Sequence, residues 1–204
     1  MTDIVYTFEG HAYLNITNAC PCRCEFCIRK NGDGVGDADT LWFSGHSPSL
    51  DEIKAAIDAF DFSSVSDEII FCGYGEPTCA YDNLIASAKY LRSKLPGCKL
   101  RINTNGLSDL INKKPTAKEI CDNIDIISVS LNAPTPEKYD ALCHSTFGLD
   151  ALPAVIRFAK ECKAYGAKVK FTVVDVISRD DIEACRKIAD DAGIELRVRV
   201  YTAE

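Results

Sequence analysis

The chain has 204 residues and a formal net charge of −7. That length is enough for one domain with a substantial buried core, and we expect residues 1–204 to form a single domain. The acidic balance disfavours an extended nucleic acid as partner, because binding a phosphate backbone requires concentrated Lys and Arg. No apolar stretch approaches the ~20 residues of a membrane span, and the first residues lack the features of a secretory signal. We therefore expect a cytoplasmic protein without membrane contact.

The chain contains 11 cysteines, which is an odd number. A disulfide framework is typical of small secreted chains, and this sequence shows no sign of secretion. Free thiols in a reducing compartment, or thiolates bound to a metal, explain the number better.

Six short apolar, β-branched runs alternate with segments of helical periodicity, and these runs predict strands. Their approximate bounds are 12–17, 67–72, 98–103, 125–131, 168–175 and 195–201. Such alternation implies an α/β fold with parallel strands and right-handed crossovers. Six units are too few for a closed eight-stranded barrel, so the sequence predicts either an open doubly wound sheet or a splayed partial barrel. Both place functional residues at the carboxyl ends of the strands.

Capping residues mark the starts of several helices between these strands. Ser49 with Glu52 forms a capping-box pattern, and Thr116 with Glu119 repeats it. At 135–136, Thr is followed by Pro, which places proline at a first helical position. The sequence therefore predicts that helices begin at these three places.

The longest irregular stretch, about 18–40, opens with Cys20, Cys22, Cys24 and Cys27. A structural disulfide cannot usefully close so short a span, so these thiols are metal-binding or redox-active. Zinc usually takes four ligands as two separated pairs, and a thioredoxin-like motif would leave two of the cysteines unused. The Cys20-x3-Cys24-x2-Cys27 spacing can hold an iron–sulfur cluster with one iron lacking a protein ligand. The spacing therefore favours iron–sulfur over structural zinc or redox thiols.

The pattern Cys-x3-Cys-x-Phe-Cys, with Phe26 before Cys27, resembles the radical S-adenosylmethionine (SAM) superfamily. This resemblance implies a partial (β/α)6 TIM-like barrel of parallel strands in one core domain. It implies a 4Fe–4S cluster bound by Cys20, Cys24 and Cys27, with Cys22 as a non-ligand and SAM bound at the open iron. It also implies reductive cleavage of SAM to a 5′-deoxyadenosyl radical, with a flavodoxin- or ferredoxin-type electron donor.

The second predicted strand is followed by Gly73, Tyr74, Gly75 and Glu76, and then by Pro77. This segment resembles the family's Gly-Gly-Glu-Pro element, with Tyr74 in place of one glycine. The resemblance implies that its backbone and the Glu76 carboxylate hold the methionyl ammonium of SAM. Without that resemblance, the segment reads as a simple turn after a strand.

Polar residues also end the next three predicted strands: Asn103 and Asn105, then Ser130 and Asn132, then Asp175. Strand alternation places Ser130 and Asn132 on one face. The resemblance implies that one of the first two asparagines, and Ser130 with Asn132, contact the carboxylate and ribose of SAM. Ser130 and Asn132 could instead bond neighbouring strands, and Asp175 could contact cofactor or substrate or cap the next helix.

The remaining cysteines and histidines are less informative. Cys72 and Cys79 flank the glycine-containing element and are the better candidates for chemistry. Cys162 and Cys185 lie on apolar helix faces and are interpreted as core thiols. The spacing of these cysteines does not favour an auxiliary cluster. Of the three histidines, His144 could reach the active side.

A finer resemblance is to the short radical SAM proteins associated with TatD-type deoxyribonucleases. It is carried by segments 15–18, 26–29, 32–36 with 41–42, and 129–134. It implies a TatD-like hydrolase as functional partner. An oxygen-sensitive cluster and an oxidoreductase or lyase type of reaction are also expected. Glycyl-radical activating enzymes, RNA-modifying enzymes and deazapurine-forming enzymes are alternatives, as is a non-enzymatic iron–sulfur or zinc module. The sequence identifies no residue that acts on the substrate radical.

Overall fold

The computed structural model describes residues 3–201 of the chain. Within them lie seven strands, which we number in chain order: β1 (Val5–Phe8), β2 (His11–Leu14), β3 (Glu68–Phe71), β4 (Lys99–Thr104), β5 (Ile126–Ser130), β6 (Lys168–Val174) and β7 (Glu195–Arg199). The α-helices in the same residues are α1 (Leu50–Ala59), α2 (Tyr81–Lys94), α3 (Ser108–Asn112), α4 (Ala117–Asn123), α5 (Pro136–Cys143), α6 (Ala151–Ala164) and α7 (Arg179–Ala192). None of the helices in this part of the chain combines the length and apolar character needed to span a bilayer.

The strands form one sheet in the order β1-β2-β3-β4-β5-β6-β7. β1 pairs with β2 in antiparallel orientation, and every later neighbouring pair is parallel. The six predicted strands are confirmed as β2 to β7, but β1 was not predicted. It joins β2 through a two-residue turn at Glu9 and Gly10, both of which have positive φ (48° and 77°), as tight hairpins require.

The spatial order of the strands follows the chain order without a reversal. A doubly wound sheet needs a reversal to place helices on both faces, whereas right-handed crossovers in one direction place all helices on one face. Accordingly, Ile69, Ile102 and Ile127 point into the large core beneath the helices. Ile70 and Tyr13 point to the other face, where they belong to a separate small cluster. The fold is therefore the partial TIM-like barrel, not the doubly wound alternative.

Two of the three predicted helix starts have the expected cap. Ser49 and Glu52 form a complete capping box at α1, and the Thr135 side chain accepts a hydrogen bond from the backbone of α5. The third helix, α4, also begins where predicted, directly after Thr116, but the capping box predicted there is wrong. The Thr116 hydroxyl instead donates to the Asp109 carboxylate at 2.7 Å, so it is committed to the preceding helix.

Candidate functional site

The carboxyl ends of the strands surround a cavity of about 280 Å³. Its lining includes most of the residues that the sequence predicted for the site: Cys24, Phe26, Cys27, Gly73, Tyr74, Gly75, Glu76, Asn103, Asn105 and Ser130. Three predicted residues lie outside this lining, namely Cys20, Asn132 and Asp175. Segments far apart in the sequence therefore meet at one edge of the sheet, as parallel topology requires.

The cysteine loop is anchored on the last turn of α5. The backbone N–H groups of Arg23 and Glu25 donate to the carbonyls of Cys143 and Leu142, at 2.9 and 3.0 Å. Carbonyls in the last turn of a helix have no partner within the helix, so the loop satisfies groups that would otherwise need water. His144 ends the helix in the left-handed region at φ 45°. The loop is thereby held against a rigid element.

The four cysteines of the loop occupy different environments. Cys24 and Cys27 line the cavity, whereas Cys20 is half-buried and does not line it. Cys22 is 3% exposed and packs into the main core, where the Asn105 amide donates to its sulfur at 3.9 Å. Within residues 3–201, no three His, Cys, Asp or Glu side chains are grouped closely enough to hold a metal ion. The prediction that Cys22 is not a ligand therefore stays a prediction, although its burial is compatible with it.

The donor set of the loop fits an iron–sulfur cluster in chemical type, because soft thiolates are the ligands of such clusters. A hydrogen bond to Cys143 is the largest cause that raises the pKa of Cys24, and burial raises it further. Hydrogen bonding to Cys22 and burial do the same for Cys20. These thiols are therefore protonated in the metal-free chain, and metal binding must release their protons.

The loop after β3 lies directly against the exit of β2. A Cβ atom on Gly73 would overlap the Asn15 side chain, and one on Gly75 would overlap the Thr17 carbonyl. The close approach also lets the Tyr74 N–H donate to Asn15 Oδ1 at 3.1 Å. Both glycines are thus required by packing, whatever the loop binds.

Glu76 is buried, at 4% exposure, and its carboxylate is held by the protein itself. Oε1 accepts from the Thr78 N–H, the Thr78 hydroxyl and the Thr104 hydroxyl, at 3.1, 2.8 and 2.7 Å. Oε2 accepts from the Asn105 N–H at 2.7 Å. Burial raises the pKa of Glu76, although these four bonds act in the opposite direction. Glu76 therefore ties the loop after β3 to the end of β4, a role that the sequence did not reveal.

The predicted polar residues on β4 and β5 reach the cavity by different routes. Asn103 and Cys72 both line the cavity, and hydrogen bonding to Asn103 acts against the increase that burial causes in the pKa of the Cys72 thiol. Asn105 lines it as well, while its Oδ1 accepts from the Leu107 N–H at 2.9 Å. Ser130 lines the cavity at the end of β5. Both asparagines thus stand where a ligand could contact them.

Asn132 and Asp175 point elsewhere. Asn132 is buried at φ 59°, and its amide donates to the Cys143 sulfur at 3.6 Å. Asp175 accepts from the Tyr201 N–H at 2.6 Å and does not cap α7, whose cap is Ser178. The interpretation of Asp175 as a helix cap is therefore wrong, whereas contacts of these two residues with SAM stay predictions.

The other thiols and His144 contribute little to the cavity. Cys162 and Cys185 are fully buried, which confirms them as core thiols. Cys79 does not line the cavity, and burial raises its pKa to about 12. The His144 Nε2 lies 3.4 Å from a carboxylate oxygen of Glu25, outside the cavity lining.

Sequence reasoning missed one side of the cavity, which the two ends of the sheet supply. Tyr6, Phe8 and Tyr13 line that side together with Arg199 and Tyr201. The aromatic residues belong to the hairpin, whose first strand was not predicted. The arginine could have been found from strand alternation, since it lies two residues after Arg197 on the face of β7 that points inward.

Comparison with known proteins gives one matching family. The model of the "Radical SAM superfamily" matches residues 14–192. This range covers most of the chain and includes the cysteine loop and strands β3 to β6 in full.

Curated relatives include two kinds of protein. A probable dual-specificity RNA methyltransferase RlmN of Pseudothermotoga lettingae is 29% identical over 143 residues, which is 66% of this chain and 37% of that protein. A tungsten-containing aldehyde ferredoxin oxidoreductase cofactor-modifying protein of Pyrococcus furiosus is 27% identical over 171 residues, 80% of this chain and 43% of that protein. The chain thus spans less than half the length of either relative.

Solved structures with the same fold include Streptococcus suis SuiB bound to precursor peptide SuiA, with a TM-score of 0.69, 19% identity and coverage of 97% of this chain and 40% of that one. A radical SAM methyltransferase from Sphaerobacter thermophilus has a TM-score of 0.64 and 16% identity, and the match covers 96% of this chain and 57% of that one. The protein anSMEcpe with bound AdoMet has a TM-score of 0.61 and 19% identity, and the match covers 93% of this chain and 49% of that one. At these identities the similarity establishes the fold alone.

Proposed function

Because the chain belongs to the radical SAM superfamily, we propose that it binds a 4Fe–4S cluster and SAM in the cavity at the carboxyl edge of the sheet. The observation that carries the proposal is that one cavity brings Cys24 and Cys27 together with the 73–76 loop and the polar end of β4. When bound, the cluster supplies a low-potential electron for cleavage of SAM to methionine and a 5′-deoxyadenosyl radical.

Different residues of this chain then bind the cluster and SAM. Cys20, Cys24 and Cys27 supply the three thiolates, and the loop anchored on α5 fixes their position. Glu76 Oε2, which accepts a single hydrogen bond from the protein, has capacity to accept from the SAM ammonium. The buried side of the same carboxylate keeps the 73–76 loop in place. Glu76 therefore acts in both binding and positioning.

In this proposal, polar residues at the strand ends contact the carboxylate and ribose of SAM. Asn103, Asn105 and Ser130 line the cavity and can reach a ligand there. Asn132 and Asp175 would have to turn away from their present partners to do so. We therefore rank the first three residues ahead of the last two as SAM contacts.

We do not restrict the reaction on the substrate to the oxidoreductase or lyase class, because relatives of the chain include methyltransferases. The sequence motifs shared with TatD-associated proteins make a TatD-like hydrolase our proposed functional partner, with a flavodoxin or ferredoxin as electron donor. RNA modification is a second candidate, favoured by the 29% identity to the probable RNA methyltransferase. The net charge of −7 argues against it for an extended RNA.

Anaerobic reconstitution of the full chain with iron and sulfide tests the proposal. We expect about four irons and four sulfides per chain, and slow conversion of SAM to 5′-deoxyadenosine and methionine under a strong reductant. One tightly bound zinc without iron after anaerobic purification would contradict the cluster. A verified cluster that yields no deoxyadenosine would instead favour a non-enzymatic iron–sulfur module.

A further inference from the structure

A buried hydroxyl without a partner lies on α5, the helix that anchors the cysteine loop. It belongs to Tyr139, whose side chain is fully buried in the main core and whose oxygen has no hydrogen-bond partner within residues 3–201. The other two buried side-chain atoms in this state in the same residues are Ser87 Oγ and Arg101 Nε, and neither lies on α5. Burying a hydroxyl without a hydrogen bond is unfavourable, so a partner that joins the site later would explain its position.

Tyr139 and the anchor of Cys24 share one face of α5. The backbone N–H groups of the two residues that flank Cys24 donate to the carbonyls of Leu142 and Cys143, at 3.0 and 2.9 Å. Leu142 and Cys143 come three and four residues after Tyr139, and residues at those spacings are neighbours on a helix surface. The tyrosine therefore lies one helical turn from the point at which Cys24 is held.

Three thiols belong to the same core as the tyrosine: Cys22 and Cys143 are buried in it, and Cys24 packs against it. Burial raises the pKa of the tyrosine well above its ordinary value, and the charges of these three thiols raise it further. The sulfurs of Cys143 and Cys22 already accept from the amides of Asn132 and Asn105, at 3.6 and 3.9 Å. Cys24 differs from them because we assign it as a cluster ligand, and a ligand thiol loses its proton when metal binds. The resulting thiolate is a stronger hydrogen-bond acceptor than the thiol.

We propose that the Tyr139 hydroxyl donates a hydrogen bond to the Cys24 thiolate once the loop holds its cluster, and that this bond raises the reduction potential. Reduction adds negative charge to the cluster and its ligands, so a donor at a ligand sulfur stabilises the reduced state more than the oxidised state. Tyr139 is then neither a ligand nor a SAM contact, but a residue that sets how readily the protein accepts an electron. The inference rests on the proposed function, because it requires that Cys24 is a cluster ligand.

Tyr139→Phe tests this, because it removes the hydroxyl and keeps the ring. We expect the reconstituted variant to bind as much iron as wild type. Its reduction potential, measured without SAM by a redox titration followed by electron paramagnetic resonance, should become more negative. We expect the preference for the reduced state to weaken about tenfold, which for one electron is about 59 mV. Because the hydroxyl has no partner in the metal-free chain, the Tm of that chain should not fall.

The matched control is Tyr81→Phe, which removes the hydroxyl of another buried tyrosine. The Tyr81 hydroxyl donates to Glu119 at 2.8 Å, so its loss should lower the Tm of the metal-free chain by about 2–4 °C. The reduction potential of the reconstituted control should equal that of wild type. The two variants should therefore show opposite patterns.

An unchanged potential in Tyr139→Phe with a full cluster overturns the inference, as does an equal shift in both phenylalanine variants. A fall in the Tm of metal-free Tyr139→Phe as large as that of Tyr81→Phe also overturns it, because the hydroxyl would then have a partner without the cluster. Loss of iron from folded Tyr139→Phe would show that the tyrosine holds the cluster instead of tuning it. If wild type itself forms no cluster, the proposed function fails and this inference with it, whereas the other outcomes refute this inference alone.

Discussion

Glu76 is a buried carboxylate whose oxygens accept hydrogen bonds from Thr78, Thr104 and Asn105. Burial raises its pKa above the ordinary 4.5, so the folded chain holds the proton more tightly than the unfolded chain. Its contribution to stability is then complete below about pH 4.5 and is lost as the pH rises through the folded-state pKa.

We therefore predict that the unfolding free energy of wild type, relative to Glu76→Gln, falls as the pH rises above about 4.5 through the folded-state pKa. Urea denaturation of both metal-free proteins at several pH values measures this difference. The altered hydrogen bonding in the glutamine variant shifts the curve by a constant, and only the slope reports the titration. Parallel curves for the two proteins would show that the ionisation of Glu76 is not perturbed.

Cys22 and Cys24 are two residues apart and lie on different sides of the loop, one in the core and one on the cavity. We predict that Cys22→Ala keeps its iron after reconstitution, whereas Cys24→Ala loses most of it. Because Cys22→Ala also leaves a small void in the core, iron must be counted per folded molecule. Equal iron loss in both variants would mean that the ligand assignment is shifted.

The loop after β3 is an element whose path depends on its glycines. A side chain on Gly75 would overlap the backbone carbonyls of Thr17 and Ala19, which cannot move without disturbing the cysteine loop. Overpacking of this kind costs about 1–3 kcal/mol, so Gly75→Ala should lower the Tm by roughly 2–12 °C in a chain of this size.

Gly32→Ala is the matched control for that substitution, because a Cβ there would contact nothing within 4 Å and its φ is not positive. Its Tm should stay within about 1–2 °C of wild type. Differential scanning calorimetry compares the two variants. Equal melting temperatures would show that the loop after β3 has freedom to move.

Elements with a local signal were predictable from the sequence. The strands β2 to β7 follow from apolar runs, and the starts of α1 and α5 follow from caps within one turn. β1 was missed because it is a four-residue strand whose partner is set by the Glu9–Gly10 turn. Thr116 was misread because its hydroxyl bonds to Asp109 in the preceding helix, which no local pattern reveals.

The candidate site was likewise predictable only where neighbouring residues in the sequence form a motif. Cys24, Cys27 and Glu76 were found because their neighbours in the sequence form recognisable motifs. Tyr6 and Arg199 were not, since they come from opposite ends of the sheet, and only the curvature of the whole sheet brings them to one cavity. The part of the lining supplied by the two ends of the sheet is thus the part that depends on the global fold.

At the scale of the whole molecule, negative charge exceeds positive by 7. Counterion release drives RNA binding only where many phosphates meet Lys or Arg together. This chain should therefore have little affinity for an extended RNA.

We predict that a labelled single-stranded RNA of about 20 nucleotides binds the reconstituted chain with a Kd weaker than about 10⁻⁴ M at physiological salt. Its affinity should change little with salt concentration, because few phosphates are neutralised. Fluorescence anisotropy over a salt series measures both quantities, with a basic RNA-binding protein as positive control. Micromolar or tighter binding that falls steeply with added salt would contradict this expectation. It would favour the RNA-modifying candidate, since it would show that local basic surface outweighs the net charge.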